Sequence, residues 1–353
     1  MAAPMPKLLK VISFALLRVL ILSLFYLNNS TQARINPSCD QSLMLLKKIH
    51  ATTPQHTNLE TYYAGVEIEA FLPKSYSRED VANKLAEILR SQAKDSSSVI
   101  ISQNRDPTFG IIYEVSIDGN HWFIKSEPSI KGVHQDFIPI ELNSPVIKNE
   151  EDANNLLFVT QELKNHFGLK IDTSNSGIHV RIDFQNATDS EIGELLLSYS
   201  LIEETLIKTF STHPHRRESY TKALPNEYIN EVIKSLNKNI PLESIERLRH
   251  WLTFKHHSLN LTDLFLRFSS RPKTAEFRLF NATLDTDILS VIIKTPQRLV
   301  TKIRSRDPKF YRWLNSRNFT PESLLEILDF DSESIKMLLN RVAEESEKPF
   351  IRN

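Results

Sequence analysis

The chain has 353 residues, 41% of them hydrophobic and 24% charged, which is the make-up of a folded globular protein with room for one large domain or two ordinary ones. Its 43 Lys and Arg balance 43 Asp and Glu, so no global field draws it to nucleic acid or to an anionic membrane. Only seven glycines are present, with no G-x-x-x-x-G-K-[ST] and no G-x-G-x-x-G, so a nucleotide would have to be held by metals and arginines instead of a glycine-rich loop. The lone cysteine, Cys39, excludes an intramolecular disulfide and a cysteine-cluster zinc site.

At the N-terminus, Lys7 and Lys10 precede an apolar run from Val11 to Leu27 that is broken by Arg18 and two serines, and Thr31-Gln-Ala33 follows. This layout fits a signal peptide. A run of 17 residues also sits at the short limit for a membrane anchor, and a start site further downstream is a third alternative. Residues 1–45 are therefore set apart as a signal or anchor segment and linker, with membrane association through residues 11–27 as one outcome.

Tyr62 to Phe71 alternates apolar and acidic residues and predicts the first strand. In it, Glu67 and Glu69 share a face at about 7 Å separation. Like charges so placed repel unless a cation lies between them, and a divalent ion is the natural neutraliser. Arg78 to Gln92 predicts an amphipathic helix capped by Ser77, with Val81, Leu85, Ile88 and Leu89 on its apolar face. Ser98–Ser102, Ile111–Ile117 and His121–Lys125 predict short strands, the last two joined by the turn Asp118-Gly119-Asn120. Pro128 ends the third of these, leaving Glu127 and Ser129 at its exit, where ligand-contacting side chains often sit.

Ile138 to Leu142 predicts another strand, closed by Ser144-Pro145. Glu141 and Asn143 point away from Ile140 and Leu142, onto the face of the first glutamate pair. Glu150 to Phe167 predicts a helix stopped by Gly168. Gly177 to Phe184 predicts a strand with His179, Arg181 and Asp183 on one face and Ile178, Val180 and Ile182 on the other. A long helix over Asp189–Phe210, capped by Asp189, is followed by a polar, basic loop over His213–Tyr220 and helices over Asn226–Leu236 and Leu242–Thr253. Ala275 to Phe280 predicts the last strand, on which Glu276 and Arg278 share a face opposite Phe277. That pair is either an ordinary ion pair or a metal ligand beside an anion clamp. Helices over Asp287–Arg304, Pro308–Ser316, Pro321–Leu328 and Glu333–Glu345 complete the chain. The pattern predicts an α+β fold, an antiparallel sheet covered by helices on one face, with the C-terminal helices as a satellite bundle or part of that cover.

Taken in order, these clusters resemble the amidoligase family, a carboxylate–amine ligase branch of the glutamine synthetase superfamily. The residues that carry the resemblance are Gly65-Val-Glu-Ile-Glu69, Trp122 to Ser129, Glu141-Leu-Asn-Ser-Pro145, Gly177-Ile-His-Val180 and Thr274-Ala-Glu-Phe-Arg278 with Thr283-Leu-Asp285. Leu259-Asn-Leu261 and the stretch from Arg216 to Tyr220 add to it, and together they span about residues 60–300. The resemblance implies a curved antiparallel sheet of the glutamine synthetase catalytic-domain type, whose concave face holds ATP and two or more Mg²⁺ or Mn²⁺ ions. It implies an ATP-dependent ligase in which a carboxylate attacks the γ-phosphate and an amine displaces phosphate from the acyl phosphate, giving an amide or isopeptide bond.

By the same resemblance, Glu67, Glu69, Glu141, His179 and Glu276 are the expected metal ligands. Arg278, Arg181 and Glu127 are the catalytic candidates, and Arg216, Asn143 and Ser129 the cofactor-binding ones. Arg181 stands where many members carry a second histidine, Pro128 where a glycine is more usual, and Asn281-Ala282 where a more polar or glycine-containing pair is. The catalytic domain is expected over 60–305 and a helical extension over 306–353. Its partners are a carboxylate and an amine, with peptides and proteins among the candidates, and no nucleic acid is expected. A kinase of the same architecture and a non-catalytic, exported or tethered binding protein are the alternatives.

Overall fold

A computed structural model describes residues 37–52, 63–93, 99–130, 135–210, 212–244, 256–265 and 272–347. Eight strands form one antiparallel sheet: β1 (Ala64–Pro73), β2 (Ile100–Asp106), β3 (Gly110–Ile117), β4 (Asn120–Ser126), β5 (Phe137–Asn143), β6 (Gly177–Asp183), β7 (Leu259–Asn260) and β8 (Thr274–Asn281). Their order is β2-β3-β4-β5-β1-β6-β8-β7, a curved sheet that does not close. The helices are α1 (Pro37–Thr52), α2 (Arg78–Gln92), α3 (Glu150–Phe167), α4 (Asp189–Thr209), α5 (Pro214–Ser219), α6 (Asn226–Lys238), α7 (Thr262–Phe265), α8 (Thr286–Arg304), α9 (Pro308–Ser316), α10 (Pro321–Ile327) and α11 (Ser332–Glu347).

Alternation along each strand gives the sheet two unlike faces. Val66, Ile68 and Ala70 of β1, Ile124 of β4, Ile140 and Leu142 of β5, and Ile178, Val180 and Ile182 of β6 are all buried on one side. Helices α2, α4 and α8 pack on the sheet, and α3 bridges α2 and α8. One irregularity matters. Ile178 pairs with Phe280 and Val180 with Phe277, so two residues of β8, Arg278 and Leu279, oppose the single His179. This bulge lets Phe277 and Phe280, three apart, both enter the core.

Local signals hold where they are specific. Ser77 and Asp80 form a reciprocal capping box on α2. Gly168 ends α3 in the left-handed region at φ 63°. Asp118 (φ 49°) and Gly119 (φ 77°) form the two-residue turn between β3 and β4.

Other expectations are corrected. The cap of α4 is Thr188, not Asp189, whose carboxylate accepts from the Leu242 amide at 3.1 Å. The polar segment His213–Tyr220 contains the short helix α5, started by Pro214 and capped by His213, instead of a loop. From Leu242 only a single 3₁₀ turn to Ser244 is seen, and the rest of the helix expected there lies outside the described residues, as do Tyr62 and Ser98. The short strand β7 was not foreseen.

Residues 1–36, including the apolar run 11–27 on which a signal or anchor was expected, lie outside the described residues. No helix among the described residues is long and apolar enough to cross a membrane. Helix α1 begins inside the stretch set apart as leader and linker, yet it buries Leu43, Leu45, Leu46 and Ile49 in the core. The C-terminal helices contribute Phe310, Leu314, Leu324, Leu325 and Leu338 to that same core. Their approach to α4 is fixed by Arg304 on Glu191 (2.8 Å) and Arg306 on Glu194 (2.6 Å).

Candidate active site

Opposite the helices the sheet is ionic. Directly paired residues of an antiparallel sheet share a face. The register aligns Lys125, Glu141 and Glu69 across β4, β5 and β1, and Asn143, Glu67 and His179 across β5, β1 and β6. Arg181, Glu276 and Asn260 continue the same face over β6, β8 and β7. Glu127 reaches it from just past the end of β4.

Two clusters result. Ligand-capable atoms of Glu67, His179 and Glu276 lie within 4.8 Å of one another, and so do those of Glu69, Glu127 and Glu141. All of these side chains are buried except Glu67, which is partly exposed.

In the first cluster, His179 Nδ1 lies 3.1 Å from Glu67 Oε2 and 3.6 Å from Glu276 Oε1. Arg181 places Nε 2.8 Å from Glu67 and Nη2 3.2 Å from Glu276, and its Nη1 reaches Asp263 at 2.7 Å. Arg278 Nη1 meets Glu276 Oε1 at 2.6 Å, and Asn260 donates to Glu276 Oε2 at 2.5 Å. In the second, Lys125 Nζ lies 2.7 Å from Glu141 Oε1, to which Asn143 also donates at 2.8 Å. Ser129 donates to Glu127 from its amide at 3.0 Å and from its hydroxyl. Glu69 Oε2 accepts from the Gly177 amide at 2.5 Å and lies 3.8 Å from Arg216.

The carboxyl groups of these clusters are shifted in different directions. Burial alone would raise Glu67, but Arg181 and then His179 outweigh it and hold its carboxyl well below the usual range. Glu276 is likewise lowered, because Arg278 and Arg181 overcome its burial. Glu141 goes the other way. Burial, with the nearby charge of Glu67 and a shared hydrogen bond to Glu127, pushes it well above the carboxylate range despite Lys125. Among the described residues, six carboxyl groups, those of Glu67, Glu69, Glu127, Glu141, Glu276 and Asp263, thus face four fixed cations, Lys125, Arg181, Arg216 and Arg278. Facing carboxyl groups with too little positive charge are the setting in which a metal cation is at home.

The structure brings together Glu67, Glu69, Glu141, His179 and Glu276, the residues expected from the sequence to bind metal. It adds Glu127, expected as a catalytic residue, to the second cluster. Arg181 and Arg278 border the first cluster. Asn143 and Ser129, expected as cofactor-binding residues, turn their polar groups onto Glu141 and Glu127. Arg216 lies almost wholly buried beside Glu69, its Nη atoms donating to the carbonyls of Asn175 (3.1 Å) and Arg278 (3.2 Å), and burial pushes its guanidinium down to about 10. Three participants were missed: Lys125, Asn260 and Asp263. The motif stretches from Trp122 to Ser129 and from Leu259 to Leu261 contained the first two, while Asp263 gave no signal beyond an acid in an apolar stretch.

A family model described as "Putative amidoligase enzyme" matches residues 60–300. Among curated proteins, none matches the chain. Among solved structures, the crystal structure of the complex between the prokaryotic ubiquitin-like protein Pup and its ligase PafA is similar over 80% of this chain, at 10% identity and a TM-score of 0.31. The chain spans 58% of that structure's chain, and so loose a likeness carries no weight of its own. The family match covers well over half of the sequence and includes every strand of the sheet. The chain belongs to the amidoligase family.

Proposed function

We propose that the protein is an ATP-dependent carboxylate–amine ligase acting through an acyl phosphate, with divalent ions at the two acidic clusters. The observation that carries this reading is the convergence of Glu67, His179 and Glu276, and of Glu69, Glu127 and Glu141, on one face with more acid than base. The donor set fits: carboxylate oxygens with one imidazole suit Mg²⁺ or Mn²⁺. The first trio would hold one ion and the second trio another. Such ions, when bound, neutralise a triphosphate and polarise its terminal phosphoryl group.

The rest falls to the chain's own side chains. Arg278 keeps a buried Nε without a hydrogen-bond partner among the described residues, and so has donor capacity left for a phosphoryl or carboxylate oxygen. Asn143 and Ser129 fix the carboxylates of Glu141 and Glu127, and Arg216 with the Gly177 amide fixes Glu69. A substrate carboxylate oxygen bonds to the γ-phosphorus as the bond to ADP breaks. The amine nitrogen then bonds to the acyl carbon as phosphate leaves, and a carboxylate on this face takes the amine's proton.

The test is an ADP-release assay with ATP and Mg²⁺ over a panel of carboxylic acids and amines, peptides included. ADP and a new amide should appear only when both substrates are present, and Glu69→Gln and Glu276→Gln should each lower the rate about a hundredfold or more. Full activity in both variants would remove the reading. A phosphorylated product that accumulates without amine would replace it with a kinase.

A further inference from the structure

We propose that Arg181, tethered by Asp263, is a resident cation of the Glu67, His179 and Glu276 cluster and sets how tightly that cluster holds a divalent ion. This rests on the metal reading above and deepens it. Arg181 stands on β6 two residues past His179, and each of its three nitrogens meets a different carboxylate: Nε Glu67 at 2.8 Å, Nη1 Asp263 at 2.7 Å and Nη2 Glu276 at 3.2 Å. Two of these carboxylates are the two acids of the cluster. The guanidinium therefore bridges the pair whose oxygens a metal ion would need, and it cannot shed its charge to make way.

Asp263 explains why it stays. This carboxylate comes from the short helix α7, is itself buried, and belongs to neither cluster. It takes up Nη1, the one guanidinium nitrogen not turned onto the cluster's own acids. Arg278 is the contrast: its Nη1 rests on Glu276 while its Nε is buried without a partner among the described residues. Of the two arginines at this cluster, Arg278 is placed to receive an anion, and Arg181 is committed to the protein's own acids. With Arg181 as internal counter-charge, an ion at this cluster binds against a fixed positive neighbour, and Asp263 limits how far that neighbour leans onto Glu67 and Glu276.

The two residues then act with opposite signs, which a merely structural role would not produce. Binding of Mn²⁺ to the full chain, without nucleotide, can be followed by the electron paramagnetic resonance of free Mn²⁺. Arg181→Met should tighten Mn²⁺ binding by about tenfold or add a bound ion, whereas Arg181→Lys, which keeps the charge, should stay near the parent chain. Asp263→Asn should weaken binding, since it removes a negative charge and leaves Arg181 wholly to Glu67 and Glu276. Arg181→Met binding no tighter than the parent overturns the proposal. If that variant does not fold, Asp263→Asn binding as tightly as the parent overturns it equally. A parent chain that takes up no Mn²⁺, and is indifferent to Glu276→Gln, overturns instead the metal reading on which the proposal stands.

Discussion

Gly177 shows how tightly single residues are fitted at this site. Its amide donates to Glu69, and a Cβ in its place would overlap the Arg216 guanidinium, which is buried and held by two carbonyls. The requirement is for space, so any side chain collides there. Gly177→Ala should cost about 2 kcal/mol, read as a lowered thermal midpoint, and should also impair turnover through Glu69. Glu203 is a second residue with a measurable signature. It lies buried on α4, accepting from the Ser258 hydroxyl and from the Leu224 amide at 3.2 Å. Burial pushes its carboxyl up to about 7 from 4.5, the Ser258 and Leu224 bonds opposing only in part. Between those pH values the folded chain keeps a proton that the unfolded chain has lost. The contribution is full below the lower value and is lost as pH rises through the upper one, about 3 kcal/mol in all. Glu203→Gln stays neutral and should flatten that decline, which urea denaturation on either side of the window would measure. A parallel decline in both proteins would contradict it.

Elements are held by caps that a sequence shows only in part. Thr188 closes α4 through a reciprocal box with Glu191, at 3.2 Å and 2.8 Å. Thr188→Ala should therefore cost about 1 kcal/mol, visible in a denaturant midpoint. The neighbouring Asp189 looks equally suited in sequence, and only the position of Leu242, brought close by the fold, tells them apart. Strand parity was far more legible. Glu67 with Glu69, Glu141 with Asn143, His179 with Arg181, and Glu276 with Arg278 could each be assigned to one face because alternation is written into consecutive residues. The partnerships were not legible. Lys125 meets Glu141 only because β4 lies beside β5, and Asp263 sits on a four-residue helix too short to display a period. The polar composition of His213–Tyr220 likewise hid α5, whose one deeply buried side chain is Arg216.

At the scale of the molecule, one core runs from α1 to α11 on the dry side of the sheet. Leu46 of α1 is 2% exposed in it. Leu46→Ala should destabilise the protein by about 3 kcal/mol, as a core residue does, and a change within experimental error would show α1 to be dispensable. The ionic side is joined to this core through the bulge in β8. Freed from the regular ladder, the carbonyls of Arg278 and Leu279 accept from Arg216 at 3.2 Å and from Thr212 at 2.7 Å, and so dock the α4–α5 connection against the sheet. A flaw in the main chain is thus the socket for the arginine that steadies Glu69. No exchange of side chains at those two positions can erase such a socket. Shortening the strand by one residue can, and it would do so while leaving every phenylalanine and every acid of β8 on its own face.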